Sequence, residues 1–417
     1  MRGTNALLPG GGFDVDRLLA PEQALVAYFA RAKLAAPRRE RVPLADARGR
    51  VLAERIVADR DYPIAGRSSM DGFAIASARA PGTFTIAGEI RMGGTWPARL
   101  HAESALRIPT GGILPAGADA VVPIEDARVE GDRVSIDGRI RSGDCVVPAG
   151  ADMRAGETQL EPGRIIAAAE LGVLATLGVV DVPVFRRPVF AVLSSGDELI
   201  EPHRQPEAGQ VRDSNRWAIG AALELLGARV LHLPIVPDDR EAYEMALREG
   251  LERADGVVLT GGSSVGARDL TPATIDALGD PGVIVHGLRV KPGKPTVLGA
   301  VNGKPIIGLP GNPVSALTIL TAVAAPIVGA LVGALPPPAT VYGVLAAPFE
   351  KRPGWTWFVP VTIDDRADPP LIRATAVASG SVSLLARADG FSVFDEAVSS
   401  LPAGAPIRAT RFSAGGT

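Results

Sequence analysis

The sequence holds a single cysteine, Cys145, among 417 residues. One thiol excludes an internal disulfide framework and any cluster built on several thiolates, and it suits a reducing compartment, so a cytoplasmic protein is expected. Histidine is scarce as well. His101, His203, His232 and His286 form no His-x-x-x-His pair, which argues against a zinc-hydrolase helix. Net charge is only −3. That balance excludes a general nucleic-acid-binding surface and leaves room for a local basic pocket. No apolar core follows Arg2 before Pro9-Gly10-Gly11-Gly12, so the first residues do not read as a signal peptide. The stretch 313–340 carries no charge and is long enough to span a bilayer. It also holds Ser315, Thr318, Thr321 and Pro326 and follows a strand-and-turn pattern, so it reads as a buried core helix and not as a membrane span.

What is present is a chain too long for one hydrophobic core, with several textures in succession. Helical periodicity over 16–36 and again over 42–57 is followed by Pro63 and Gly66 and then by a β-rich stretch. Short strands are expected at 83–86, 105–108, 120–122 and 133–136. A helix returns over 164–178, ended by Gly178. The similar helical texture before 57 and after 150 suggests one discontinuous helical domain, 13–56 and 150–183, interrupted by an inserted β domain of 57–149. From 184 to 335 strands and helices alternate, with strands at 189–193, 230–236 and 256–260 and helices at 215–226 and 239–253, as in a doubly wound α/β domain. Pro336-Pro337-Pro338 marks a boundary, and β texture resumes over 336–417.

The chemistry concentrates in loops after the α/β strands. Gly256 to Thr260 runs into Gly261-Gly262-Ser263-Ser264-Val265-Gly266 and then Asp269, a strand, a glycine-rich turn and a helix start. Such a turn can aim backbone N–H groups at an anion. It also satisfies G-x-S-x-G, but a hydrolase of that order needs a downstream acid and histidine, and only His286 follows Ser264. Lys291-Pro292-Gly293-Lys294-Pro295 puts two cations on a stiff backbone, either solvated or holding phosphate, and Leu309-Pro310-Gly311-Asn312-Pro313 opens the long apolar helix. Ser195-Gly196-Asp197-Glu198 and Asp213-Ser214-Asn215 follow the same logic. Asp213, Ser214, Asp238 and Asp269 can be helix caps; alternatively the carboxylates of Asp213, Asp238 and Asp269, with Glu198, can hold Mg²⁺ beside a phosphate.

Taken together and in order, Ser69 to Ala74, Thr110 to Asp119, Gly150-Ala151-Asp152, Ser195 to Leu199, Asp213 to Asn215, Gly261 to Gly266 with Asp269, Lys291 to Pro295 and Leu309 to Ala316 resemble the MoeA/gephyrin E-domain family, the molybdopterin molybdenumtransferases. The resemblance implies that the helical domain is elongated, that 184–335 binds molybdopterin and that 336–417 is a C-terminal β barrel. It also implies a homodimer and a reaction in which molybdate and adenylylated molybdopterin give molybdenum cofactor and AMP with a divalent cation, Mg²⁺ or Zn²⁺. It implies Asp71, Asp152, Asp269 and Lys291 as catalytic residues. It implies substrate contacts from Thr110, Ser195, Gly196, Asp213, Ser214, Asn215, Gly261, Gly262, Ser264, Gly266, Lys294, Pro310, Gly311, Asn312 and Ser381, and a metal set of Glu198, Asp238 and Asp269. Adenylyltransferase and molybdoenzyme partners follow from the same resemblance, with no nucleic acid and no membrane. The alternatives are a non-catalytic or specialised pterin-binding paralogue, or the adenylyltransferase step. The sequence also departs from the family's pattern: Val147, Trp355 and Pro360 stand where cations are usual, and Gly287 where some members carry lysine. Arg289, Arg352 and Arg154 are the candidates to compensate.

Overall fold

The computed structural model describes residues 4–5, 13–261, 270–375 and 380–412. Contacts divide the chain into two units, one of Met1–Val42, Asp46–Ala53 and Pro183–Thr417 and one of Pro43–Ala45 and Glu54–Val182.

In the larger unit, a seven-stranded sheet forms the frame. Arg229–His232, Val189–Ser194, Gly256–Thr260 and Lys304–Leu309 lie side by side and parallel. Val297–Val301 and Pro281–His286 extend it antiparallel, and Thr4–Asn5 closes the edge parallel to Pro281–His286. The central strands are apolar on both faces because helices cover both, the expected texture of a parallel sheet. All five residues of Gly256–Thr260 are buried. Val189–Ser194 has its sequence successor on one side and the following strand on the other, so the connections diverge there and open a crevice beyond the strands' carboxyl ends.

The long apolar helix is a core element. Pro313–Val332 is long and apolar enough to cross a membrane, and 72% of that stretch lies buried within the fold. It runs as Pro313–Ile319, a π-helical turn Leu320–Ala324, and Ala325–Val332, ended by Gly333 in the left-handed conformation at φ +98°. Each fully buried Leu, Ile or Val here contributes roughly 1.5–3 kcal/mol.

The C-terminal part builds a closed sheet. Thr356–Asp364 pairs with Leu371–Ala374 on one side and with Gly390–Phe394 on the other, and Thr340–Leu345 and Pro406–Arg411 complete the ring. Closure removes the sheet edges and buries Val361, Ile372 and Ala409 inside. Val290–Lys291, from the α/β part of the chain, joins this sheet parallel to Thr356–Asp364.

The smaller unit carries a six-stranded sheet in the order Ala120–Pro123, Gly72–Ile75, Ser104–Ile108, Gly82–Glu89, Arg133–Ile136, Arg128–Glu130. Alternation sends Phe73 and Ile75 to one packed face and Ala74 to the other, where it meets Leu106 and Ile108. The four short strands expected from the sequence fall within these elements.

Three local expectations are corrected. Residues 42–57 are not a helix: they form a 3-10 turn at Leu44–Asp46 and a short strand at Ile56–Val57. The first α-helix is Pro21–Ala32, and 16–20 is largely irregular. The strand expected over 230–236 is Arg229–His232. Pro21–Ala32 buries Ala24, Tyr28 and Ala32, one helical face, against the α/β sheet, where the Tyr28 hydroxyl donates to the Gly299 carbonyl at 3.2 Å. It belongs to the larger unit and Ala168–Thr176 to the smaller.

Candidate functional site

The carboxyl ends of the central strands converge because glycine lets their backbones approach. The Ser195 N–H donates to the Thr260 carbonyl at 2.9 Å. A Cβ on Gly261, at φ +90°, would sit 2.1 Å from the Ser195 carbonyl oxygen, so only glycine fits. Gly311 packs against Gly261, and its carbonyl accepts from the Asn215 amide at 2.7 Å. Gly196 leaves room for the Glu198 carboxylate, which folds back over it.

Two cavities open at this edge and share Pro295, Pro310 and Asn312. The first, about 490 Å³, is lined by Lys291, Lys294, Arg352, Trp355 and Trp357 as well as the shared residues and Ser315. No carboxylate occurs among the described residues lining it. The second, about 550 Å³, is polar and of mixed charge: Glu198, Arg212, Asp213, Ser214, Asn215 and Gly311 line it. Gly380 and Val382 form its far wall, with Ser381 between them at the start of a short helix. The N-terminus of Pro313–Val332 meets both cavities. Pro313 stands where its missing N–H is no loss, and the partial positive charge of the helix end adds to that of the lysines.

The structure gives several sequence candidates distinct roles. The Asp213 carboxylate is buried and committed: it accepts from the Ser194 hydroxyl and the Arg216 N–H, each at 3.1 Å, and lies 3.3 Å from the Arg216 Nε. Arg216, also buried, donates to Leu233 O at 2.7 Å and to Glu201 at 2.6 Å. That bond holds the Glu201 carboxyl below its ordinary range. Asp213 thus anchors the Asn215–Leu225 helix at the cavity wall, as a cap and an ion-pair partner. The Asp238 N–H donates to Asp197 at 3.0 Å. Among the described residues no group of three His, Cys, Asp or Glu side chains can hold a metal ion, so Glu198 and Asp238 do not form a divalent-cation site by themselves.

Gly262, Ser264, Gly266 and Asp269 lie outside the described residues. Asp71, Thr110 and Asp152 belong to the smaller unit. There the Asp71 carboxylate accepts from the Thr110 N–H at 2.6 Å and the Thr110 hydroxyl at 2.9 Å, and these two bonds hold its carboxyl below the usual range.

The departures from the family pattern acquire physical meaning. Gly287, at φ +90°, faces Leu18 and Phe13, and a Cβ there would come within 2.6 and 2.7 Å of them. Its hydrogen-only side chain lets the segment 13–19 cross, fixed by the Arg289 N–H to Leu19 O at 2.8 Å. Pro360 is buried in the barrel wall, its carbonyl accepting from Thr375. Trp355 lines the cationic cavity and packs on Phe13 and Leu18. Of the proposed compensating cations, Arg289 is tied to Glu396 at 2.8 Å, Arg154 is in the smaller unit, and Arg352 lines the cavity. Sequence reasoning missed Trp357. The available signal was two tryptophans two residues apart in a chain with only 5% aromatic residues.

Comparison with known proteins covers all these parts. Residues 19–178 match the MoeA N-terminal region (domain I and II), 191–330 the probable molybdopterin binding domain, and 342–412 the MoeA C-terminal region (domain IV). Molybdopterin molybdenumtransferase 2 of Mycobacterium tuberculosis is 32% identical over 380 residues, covering 88% of this chain and 93% of that protein. Molybdopterin molybdenumtransferase of Haemophilus influenzae is 33% identical over 297 residues, 70% of this chain and 73% of its own length. The crystal structure of the molybdopterin biosynthesis MoeA protein from Pyrococcus horikosii superposes with a TM-score of 0.81 at 29% identity, over 95% of this chain and 100% of that one.

Proposed function

The chain belongs to the MoeA family of molybdopterin molybdenumtransferases, and from that premise we propose that it inserts molybdate into adenylylated molybdopterin with release of AMP, at the paired cavities beside Pro310 and Asn312. Molybdenum transfer in molybdenum cofactor biosynthesis is the activity of the family; the adenylylated substrate and the placing of the reaction are our reading. The observation that carries it is the cationic cavity, in which Lys291, Lys294 and Arg352 meet no carboxylate among the described lining residues. A phosphate chain and an oxyanion both need positive charge held in place, and the protein as a whole is not basic. The adjoining polar cavity supplies amide and hydroxyl groups from Asn215, Ser214 and Asn312 for a hydrogen-bonding ring system. With both cavities filled, the phosphate chain lies along the shared edge, beside the N-terminus of the long helix.

Within this reading Lys291 and Lys294 neutralise phosphate oxygens and stabilise the charge that develops as the phosphoanhydride or its molybdate adduct is cleaved. A divalent cation would supply further charge neutralisation when bound. Glu198 and Asp238 would need additional ligands to hold one. A homodimer in the cytoplasm is part of the same proposal, checked by light scattering in detergent-free buffer for a mass twice that of the chain.

The test is AMP release. Purified protein with adenylylated molybdopterin should liberate AMP when molybdate is added, without consuming ATP. Binding of the adenylylated pterin with no molybdate-dependent AMP would instead favour a pterin-binding paralogue. ATP consumption with unadenylylated pterin would favour the adenylyltransferase step.

A further inference from the structure

We propose that Trp357 is a positioning residue for Lys291, and that through it the C-terminal barrel sets the lysine's geometry in the cationic cavity. Lys291 and Trp357 are direct partners in the parallel pairing of Val290–Lys291 with Thr356–Asp364. The Lys291 ammonium lies 4.1 Å from the centre of the Trp357 ring, within cation–π range, and both side chains line the cavity.

The platform under the ammonium is held on several sides. Trp357 is also the antiparallel partner of Phe394. Phe349 meets the Trp357 ring edge-on at 6.2 Å and stacks on Phe394 at 4.2 Å. The strand's entry is fixed too. The Thr356 N–H donates to Arg289 O at 3.1 Å, and the Gly354 N–H donates to Glu396 O at 2.9 Å. Arg289 closes the loop by its ion pair to Glu396 at 2.8 Å. Buried Lys351 donates to Trp355 O at 2.8 Å, its ammonium pushed down in pKa by desolvation.

A lysine side chain is long and loses substantial rotamer freedom when it is held still. An indole face that already holds the ammonium removes part of that loss from the binding step. The ring face meets the lysine ammonium, and an aromatic face attracts a cation and not an anionic phosphate, so Trp357 acts through Lys291.

The inference rests on Lys291 engaging the substrate's phosphates as proposed above. The experiment is a double-mutant cycle read by calorimetric titration with inorganic pyrophosphate. Lys291→Ala should weaken binding on the order of ten-fold. Trp357→Leu should weaken it roughly five-fold in the wild-type background and not at all in the Lys291→Ala background. Trp357→Phe keeps an aromatic face and should recover most of the affinity; it also carries the cycle if melting shows the leucine variant to be poorly folded. Equal weakening by the Trp357 variants in both backgrounds would assign Trp357 a structural role and overturn the inference while leaving the lysine reading intact. Unchanged affinity in Lys291→Ala would remove the lysine reading and this inference together.

Discussion

Removing Arg216 separates a structural from a substrate-binding role for Asp213. The two side chains are 6% and 1% exposed, and the Asp213 carboxylate has no other cation against it in the ion pairs described. Arg216→Met keeps much of the aliphatic stem but leaves that carboxylate buried and uncompensated, at a cost of about 3–5 kcal/mol. For a domain of this size each kcal/mol moves the melting temperature by about 2–4 °C, so the loss should be on the order of 10 °C. Asp213→Asn is milder, about 1–3 kcal/mol, because Arg216 keeps Glu201 and the Leu233 carbonyl while the amide oxygen still accepts from Ser194. The double variant has no charge left to strand between these positions, so its loss should fall well short of the sum. Scanning calorimetry on the four proteins measures all three quantities. Strictly additive losses, or a melting temperature for Arg216→Met within about 2 °C of wild type, would refute the reasoning and return Asp213 to the group of free ligand-binding carboxylates.

Other positions give sharper single tests. Lys294→Ala should weaken binding of the adenylylated pterin roughly ten-fold or more in a titration, since a charge-assisted contact is worth about 1.5–3 kcal/mol; unchanged affinity would make Lys294 a solvated surface residue. Gly261→Ala places a methyl group against the Ser195 backbone at a positive φ, so both ligand affinity and melting temperature should fall, and an unperturbed protein would contradict the close approach. Gly287→Lys adds a cation but clashes with Phe13 and Leu18; it should lower the melting temperature without tightening pyrophosphate binding, and a gain in affinity would be the opposing result. Thr110→Val removes the hydroxyl bond to Asp71 and keeps the N–H bond, so the carboxyl should move part of the way back up toward its ordinary range. Because the folded pKa is depressed, the stabilisation is present above the unfolded value and lost as pH falls through the folded one. The variant should begin to lose it at higher pH, and a carbon-detected titration of Asp71 identical to wild type would rule this out.

Much of the architecture was legible because it is local. Alternation over Phe73, Ala74 and Ile75 marks a strand with two packed faces, and buried runs such as Gly256–Thr260 mark parallel strands under helices. The stretch 42–57 misled because its apolar residues, Leu44, Val51 and Leu52, have helical spacing yet are used singly, in a turn and in extended backbone. Leu52, for one, bridges to Val184, and such distant pairing overrides periodicity. At the site, Lys294, Gly261 and Asn312 were legible as residues at strand ends, whereas Lys291, read from the sequence as part of a loop, pairs as a strand residue with Trp357. What each side chain does was not: Asp213 reads equally well as a ligand or a cap until Arg216 is seen beside it.

By itself, the sequence determined most of the strand, turn and helix order, the glycine at Gly261 that permits close backbone approach, the absence of a thiolate cluster, and the family resemblance. Each depends on residues near one another in the chain or on composition. Only the tertiary structure decided that two cavities share an edge at Pro310 and Asn312, that Gly287 makes way for the segment 13–19, and that Trp357 rather than another residue lies under Lys291. Those contacts join distant segments, and their register is set by strand pairing and by which faces must be buried, which no local window of residues contains.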